Sequence, residues 1–241
     1  MKNPLRKRIL RELRDELGKY LVIFLLLTAT IGFVSGFLVA DGSLLAAYEE
    51  GFTLYNIEDG YFDLAKKANK AQVKTMQGWG VQLYENFYVE KSLTNGSTLR
   101  VFAPREQVDL VCLMSGSLPR TADEVAIDRM YADNNGLTPG DTLETEDGRR
   151  WTISGLVALS DYSCLFSDNN DSMFDSVKFG VGIVSKDCFD ALGTDQLTYH
   201  YAWKYDEPPV DKAAQQDRAE ELMKQMTAEV KLESFVPQYQ N

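Results

Sequence analysis

Leu21–Ala40 (LVIFLLLTATIGFVSGFLVA) is 20 consecutive residues without a charge, a proline or an amide side chain, and it sets the strongest limit on what this 241-residue chain can become. As a helix rising ~1.5 Å per residue, the run covers ~30 Å, the thickness of a bilayer's hydrocarbon core. A secretory signal has a shorter apolar stretch, usually ~7–15 residues, and a small-x-small cleavage site. Cleavage after Ala40 would put Leu38 where a small residue belongs. The core helix of a soluble protein seldom runs this far without a charge. The sequence therefore predicts an uncleaved transmembrane helix over 21–40.

The charges around the run orient it. Residues 1–20 hold seven Lys/Arg and three acids, which leaves 18 basic and 33 acidic residues for the rest of the chain. By the positive-inside rule, 1–20 lie in the cytoplasm, and the acidic remainder is the extracytoplasmic part of a protein of the cell (plasma) membrane. Leu5, Ile9, Leu13 and Leu17 recur every four residues, with Arg8 and Arg11 among the cations on the other faces. That pattern predicts a basic amphipathic helix at the headgroup level, an interface for the lipid bilayer or an acidic partner. Within the span, Thr28, Gly32, Gly36 and Ala40 are spaced by four. A row of small residues lets a second helix approach closely, and that helix is expected from elsewhere, because the sequence holds no second span.

Beyond the span the pattern is that of an α+β domain. Residues 42–50 extend the helix outward as a stalk, and 52–64 (FTLYNIEDGYFDL) alternate as a strand. A surface helix is expected over 65–76, then strands over 81–89 and 98–103. From about 107 to 184 the chain changes to short strands and tight turns, including an Asp147-Gly148 hairpin signal. Apolar 179–184 and aromatic 197–205 read as further strands. Pro208-Pro209 then leads into a helix from about Asp211, and a last strand covers 230–236. The expected organisation is a cytoplasmic helix (1–20), a transmembrane helix (21–40), an extracytoplasmic α/β lobe of βαβ type (41–106 and 185–241) and an inserted β-rich lobe (107–184).

Composition and motifs narrow the chemistry. A net charge of −11 argues against nucleic-acid binding. The lone histidine, His200, leaves no basis for most metal sites or for Ser-His and Cys-His catalysis. Three cysteines, Cys112, Cys164 and Cys188, are too few for a disulfide scaffold. There is no GxxxxGK[ST], CxxC or HExxH. The polar loop around Asp168–Asp175 lacks the spacing of a calcium loop. Glu58 and Asp59 suggest paired acids, but a turn before Gly60 accounts for them equally well. The row Tyr199, Tyr201, Trp203 and Tyr205 reads as core. No catalytic, cofactor-binding or metal-ligating residue is assigned, and neither a cofactor nor an enzymatic activity is expected of this chain.

Several stretches then fall into one order: Gly116-Ser-Leu-Pro119, Glu124-Val-Ala-Ile127, Asn135-Gly-Leu-Thr-Pro-Gly-Asp141 and Trp151-Thr-Ile-Ser-Gly-Leu-Val157. This series, after a basic segment and one span, resembles the extracytoplasmic core domain of MacB/FtsX-type ABC transporter permeases. The resemblance covers essentially the whole chain. It implies an ABC ATPase subunit as partner near Leu5–Leu17. It also implies an outer domain that couples ATPase-driven motion to export or extraction of a substrate or to transmembrane signalling. Family permeases carry at least three more membrane helices after the outer domain, so the resemblance implies further permease helices or a second permease copy as partners. The chain would then be the N-terminal portion of such a permease. The competing reading is a single-pass, membrane-anchored surface domain that binds a ligand or protein without transport.

Overall fold

The computed structural model describes residues 16–162, 164–167, 173–193 and 196–238, with the side chains of 40–49 excepted. The chain divides into two units, 1–50 and 51–241. The first is represented by helix α1 (Leu17–Leu54), which runs four residues into the second. Its stretch Leu17–Val39 is 23 residues long and apolar enough to cross a membrane, and none of it is buried. The helix also carries the expected stalk, and Gly18, a natural place for a bend, lies in its first turn.

Residues 51–241 form one mixed sheet with helices on it. In chain order the elements are β1 (Gly60–Leu64), α2 (Lys70–Gln77), β2 (Val81–Glu85), β3 (Tyr88–Ser92), β4 (Thr98–Phe102), β5 (Cys112–Gly116), β6 (Glu124–Asp128), α3 (Arg129–Asn135), β7 (Thr142–Glu144), β8 (Arg150–Ala158), β9 (Phe179–Val184), α4 (Lys186–Ala191), β10 (Leu197–Tyr205), α5 (Lys212–Glu229) and β11 (Leu232–Pro237). The spatial order is β11-β1-β10-β3-β4-β9-β6-β8-β5, with β2 beside β10 and β7 beside β8. The pairs β4·β9 and β6·β8 are parallel and the others antiparallel. One N-terminal span-length helix followed by an α+β, sheet-rich domain is the fold class the sequence predicts.

Period-2 alternation sets which face of each strand is buried. In β1, Gly60, Phe62 and Leu64 are buried while Tyr61 and Asp63 face the other way. Phe62 and Leu64 meet Tyr201, Trp203 and Tyr205 of β10, Met76 of α2, and Leu222 and Met226 of α5 in one hydrophobic core. The larger core gathers β3, β4, β6, β8 and β9 around Trp151, Tyr131, Phe102 and Ile127. Helix starts follow capping chemistry: Asn69 with Gln72 forms a capping box, and Asp128, Ser185 and Asp211 accept from first-turn amides.

The motif series occupies one corner of this core. Glu124 accepts from the amides of Arg120 and Thr121, closing the turn before β6. Asp141 accepts from the Thr138 amide and hydroxyl before β7. Gly116 and Gly155 allow β5 and β8 to cross closely: a Cβ on Gly155 would stand 2.6 Å from the Ser117 carbonyl, and one on Gly116 2.4 Å from that of Ser154. These residues serve turns and close backbone approach.

Candidate functional site

Thr28, Gly32 and Gly36 lie at four-residue intervals on α1, and a Cβ at Gly32 or Gly36 would meet nothing within 4 Å. Ala40 continues the row along the backbone; its side chain lies outside the described residues. Leu5, Arg8, Ile9, Arg11 and Leu13 also lie outside the described residues, while Leu17 begins α1 and is exposed.

The expected strand over 52–64 is corrected. Helix α1 continues through Leu54, and only Gly60–Leu64 pairs as a strand. The helix ends in a Schellman arrangement: Ile57 N–H donates to Phe52 O, and Asn56 N–H to Thr53 O, with Asn56 left-handed at φ 46°. The alternation in FTLYNIEDGYFDL hid this ending, although an asparagine at the left-handed position was a usable signal. The exit segment is then stapled down. Leu110 N–H donates to Tyr55 O at 2.8 Å, Asp109 N–H to Asn56 O at 3.2 Å, and Asn56 Nδ2 to Gln107 O at 2.6 Å. Among the described residues, Asn56 and Asp109 (φ 49°) are the two non-glycine residues with positive φ, and they face each other here.

A polar row crosses the open sheet face. Asp63 pairs with His200 on β10 and with Ser234 on β11. The His200 Nδ1 lies 2.7 Å from Asp63 Oδ1, and Ser234 Oγ donates to Asp63 Oδ2 at 2.5 Å. The Tyr61 ring lies tilted against the imidazole, with the ring centres 4.6 Å apart. Next along the sheet, Arg100 donates to Glu90, to the Tyr162 hydroxyl and to Ser167 O, and lies 4.3 Å from the Tyr88 ring centre. Asp63, His200, Tyr61 and Arg100 line a cleft of about 200 Å³, with Glu58 and Asp161 also on its wall. Ser234 and His200 both bond to Asp63, so the row ties side chains of three strands together.

Burial alone would raise Asp63, but hydrogen bonds from His200 and Ser234 and the charge of Arg100 hold its carboxyl below the usual value. A carboxyl lowered by folding contributes stability above its ordinary pKa and loses it as pH falls through the folded value. His200→Ala is expected to cost about 1–3 kcal/mol at neutral pH. It should also shift acid unfolding to higher pH, read as chemical-denaturation midpoints across a pH series.

Glu58 and Asp59, expected in a turn, are both buried and point to different partners. Asp59 accepts from the Tyr205 amide at 2.8 Å and fixes the β10 end. Glu58 is fully enclosed beside Asp109, Asp161 and Arg105. Asp109 Oδ1 accepts from the Glu58 amide and Oδ2 from Asn86 Nδ2, both at 2.9 Å. Arg105 Nη1 donates to Asp161 Oδ1 at 2.7 Å. Burial, then the charges of Asp109 and Asp161, push the Glu58 carboxyl well above its usual range. Burial and Asp161 push Asp109 up to about 7, against the opposing pull of Arg105. Residues 51–60 come from the chain's start and 105–109 from about fifty residues later, which is why sequence spacing gave no hint of the cluster.

The cysteines are free. Cys188 is buried and accepts from Trp151 Nε1, Cys112 is half-buried, and Cys164 is exposed at the cleft. Of the polar loop expected over 168–175, residues 168–172 lie outside the described residues, and Asp175 accepts from Val177 and Lys178 amides. Among the described residues no group of three or more His, Cys, Asp or Glu is arranged to hold a metal.

No protein-family model matches the chain, and no curated protein matches it. Solved structures do. The chain is similar to the periplasmic region of MacB from Actinobacillus actinomycetemcomitans, at 13% identity over 74% of this chain and 87% of that one, with a TM-score of 0.41. It is similar to the extracellular domain of the noncanonic ABC-type transporter YknZ from Gram-positive bacteria, at 12% identity over 76% of this chain and 100% of that one, TM-score 0.38. A putative lipoprotein from Bacillus anthracis is similar at 10% identity, over 73% of this chain and 93% of that one, TM-score 0.35.

Proposed function

We propose that this chain is the N-terminal part of an ABC transporter permease subunit. Its first 20 residues would lie in the cytoplasm, and its α+β domain outside the cell membrane would couple ATPase-driven motion to export or extraction of a substrate or to signalling. The observation that carries the reading is α1: a 23-residue apolar stretch long enough to cross a membrane leads into a capped exit and then an α+β domain. The order of basic segment, span and turn-motif series supports it. The chain itself is proposed to lack catalytic machinery, ATP hydrolysis belonging to a separate subunit. The Thr28/Gly32/Gly36/Ala40 row would pack against other permease helices or a second permease copy.

The test is affinity purification of the full-length native protein from membranes in mild detergent. Co-purification of an ABC ATPase, lost when Gly32 and Gly36 are both replaced by leucine, is the expected result. Recovery of the chain with no ATPase would overturn the reading and favour a single-pass binding protein.

A further inference from the structure

We propose that the cleft on the open sheet face binds an alkylammonium group of the lysine side-chain type, its charged head paired with the Glu58 carboxylate. The site stands on the cleft alone and does not depend on the permease reading above. Glu58 lies on the cleft wall and is 1% exposed. Among the described residues neither of its carboxyl oxygens has a hydrogen-bond partner. A buried acceptor without a donor is costly, and folded chains satisfy nearly all of theirs. The other charged groups on the wall are answered from within the chain. Asp63 is held by His200 and Ser234. Arg100 donates to Glu90, Tyr162 and Ser167 O. Asp161 has Arg105 at 2.7 Å. Asp109, beside Glu58, accepts from the Glu58 amide on one oxygen and from Asn86 on the other, so it offers Glu58 a like charge and no donor. Glu58, Asp109 and Asp161 thus share one cation, Arg105, and the deficit falls on Glu58.

The wall sets the chemistry of a fitting partner. Two acceptor oxygens on one carboxylate call for positively charged N–H donors, and a primary ammonium brings three. A metal ion fits less well, because among the described residues no three His, Cys, Asp or Glu are grouped to hold one. Tyr61 and Phe166, also on the wall, supply aromatic surface of the kind that cations favour. Val236 and Phe166 give a short alkyl stem apolar surface to lie against. The volume of about 200 Å³ is below the ~300–1,000 Å³ of drug-sized sites, which leaves room for one head group and a stem of a few carbons. Burial and the charges of Asp109 and Asp161 hold the Glu58 carboxyl above its usual range. Entry of the ammonium therefore replaces the carboxyl proton, which leaves to solvent.

Isothermal titration calorimetry of the full chain in phosphatidylcholine nanodiscs, whose lipid carries no primary amine, tests this at about pH 8, where an alkylamine is still charged. n-Butylammonium should bind saturably. Tetramethylammonium has the same charge without N–H donors, and n-butanol has the same stem without charge. Each should bind at least about tenfold more weakly, the order set by charge-assisted hydrogen bonds. Nα-acetyllysine amide should match n-butylammonium, and glycinamide, an amine without the stem, should bind more weakly than both. Glu58→Gln should lower n-butylammonium affinity by about tenfold, with its fold checked by tryptophan fluorescence. If that variant does not fold, the wild-type order of the probes decides alone. No saturable binding of n-butylammonium, equal binding of tetramethylammonium or n-butanol, or a folded Glu58→Gln chain with undiminished affinity would overturn the site. Glycinamide binding as tightly as n-butylammonium would overturn the assignment of a lysine-type stem. Failure here leaves the permease reading standing, and failure to find an ATPase leaves the site standing.

Discussion

Arg105→Met is expected to destabilise the outer domain by about 3–5 kcal/mol, because it strands a buried charge. The guanidinium and the Asp161 carboxylate are 2% and 5% exposed and 2.7 Å apart. Among the described residues Arg105 Nε and Nη2 have no hydrogen-bond partner, and the group lies 4.2 Å from the Phe102 ring centre, so charge balance with Asp161 dominates its surroundings. Removing the cation leaves Asp161 facing Asp109 in a medium that solvates neither. Arg105→Met/Asp161→Leu should recover most of the stability, since the desolvation cost of both ions disappears together. Urea unfolding followed by tryptophan fluorescence checks both points; a single-variant loss below about 1 kcal/mol would mean that the pair behaves as a solvated one.

Gly60→Ala should cost about 3 kcal/mol or more, through overpacking and an unfavourable backbone angle. Gly60 lies between Trp203 on β10 and Pro237 on β11, at φ 157°. An added methyl would stand 2.3 Å from the Trp203 ring and 2.6 Å from the Val236 carbonyl oxygen. Trp203 has no room to retreat: it is fully buried and stacked on Phe235 at 4.7 Å and Phe62 at 6.1 Å. Gly96→Ala is the control, with φ 82° and nothing within 4 Å. It should lose only the backbone cost of about 1–2 kcal/mol. Equal losses at the two sites would remove the packing explanation.

What the sequence revealed follows from how local each signal is. The apolar run, the Asp147-Gly148 turn between β7 and β8, the Asp211 cap and the aromatic face of β10 are each written in a few adjacent residues, and each forms where expected. The strand expected over 81–89 divides at Asn86-Phe87, yet β2 and β3 keep one register along β10, and Asn86 N–H still donates to His200 O. The site was illegible for the opposite reason. Asp63 and His200 are 137 residues apart and are brought together by strand pairing, and Glu58 and Asp109 are 51 apart and meet where two loops pack. A buried carboxyl beside another carboxyl leaves no trace in periodicity, so NIEDG read as a turn. The helix ending at Leu54 was misread because four residues of alternation, FTLY, fit a strand as well as a helix end.

The central claim is that α1 crosses the membrane and places residues 51–241 outside, and Cys164 offers the most direct measurement. It is exposed, whereas Cys188 is buried and Cys112 half-buried. In intact cells expressing the Cys112→Ser chain, a membrane-impermeant maleimide should label Cys164 without permeabilisation. Labelling that appears only after the cells are opened would place the domain inside and contradict the account.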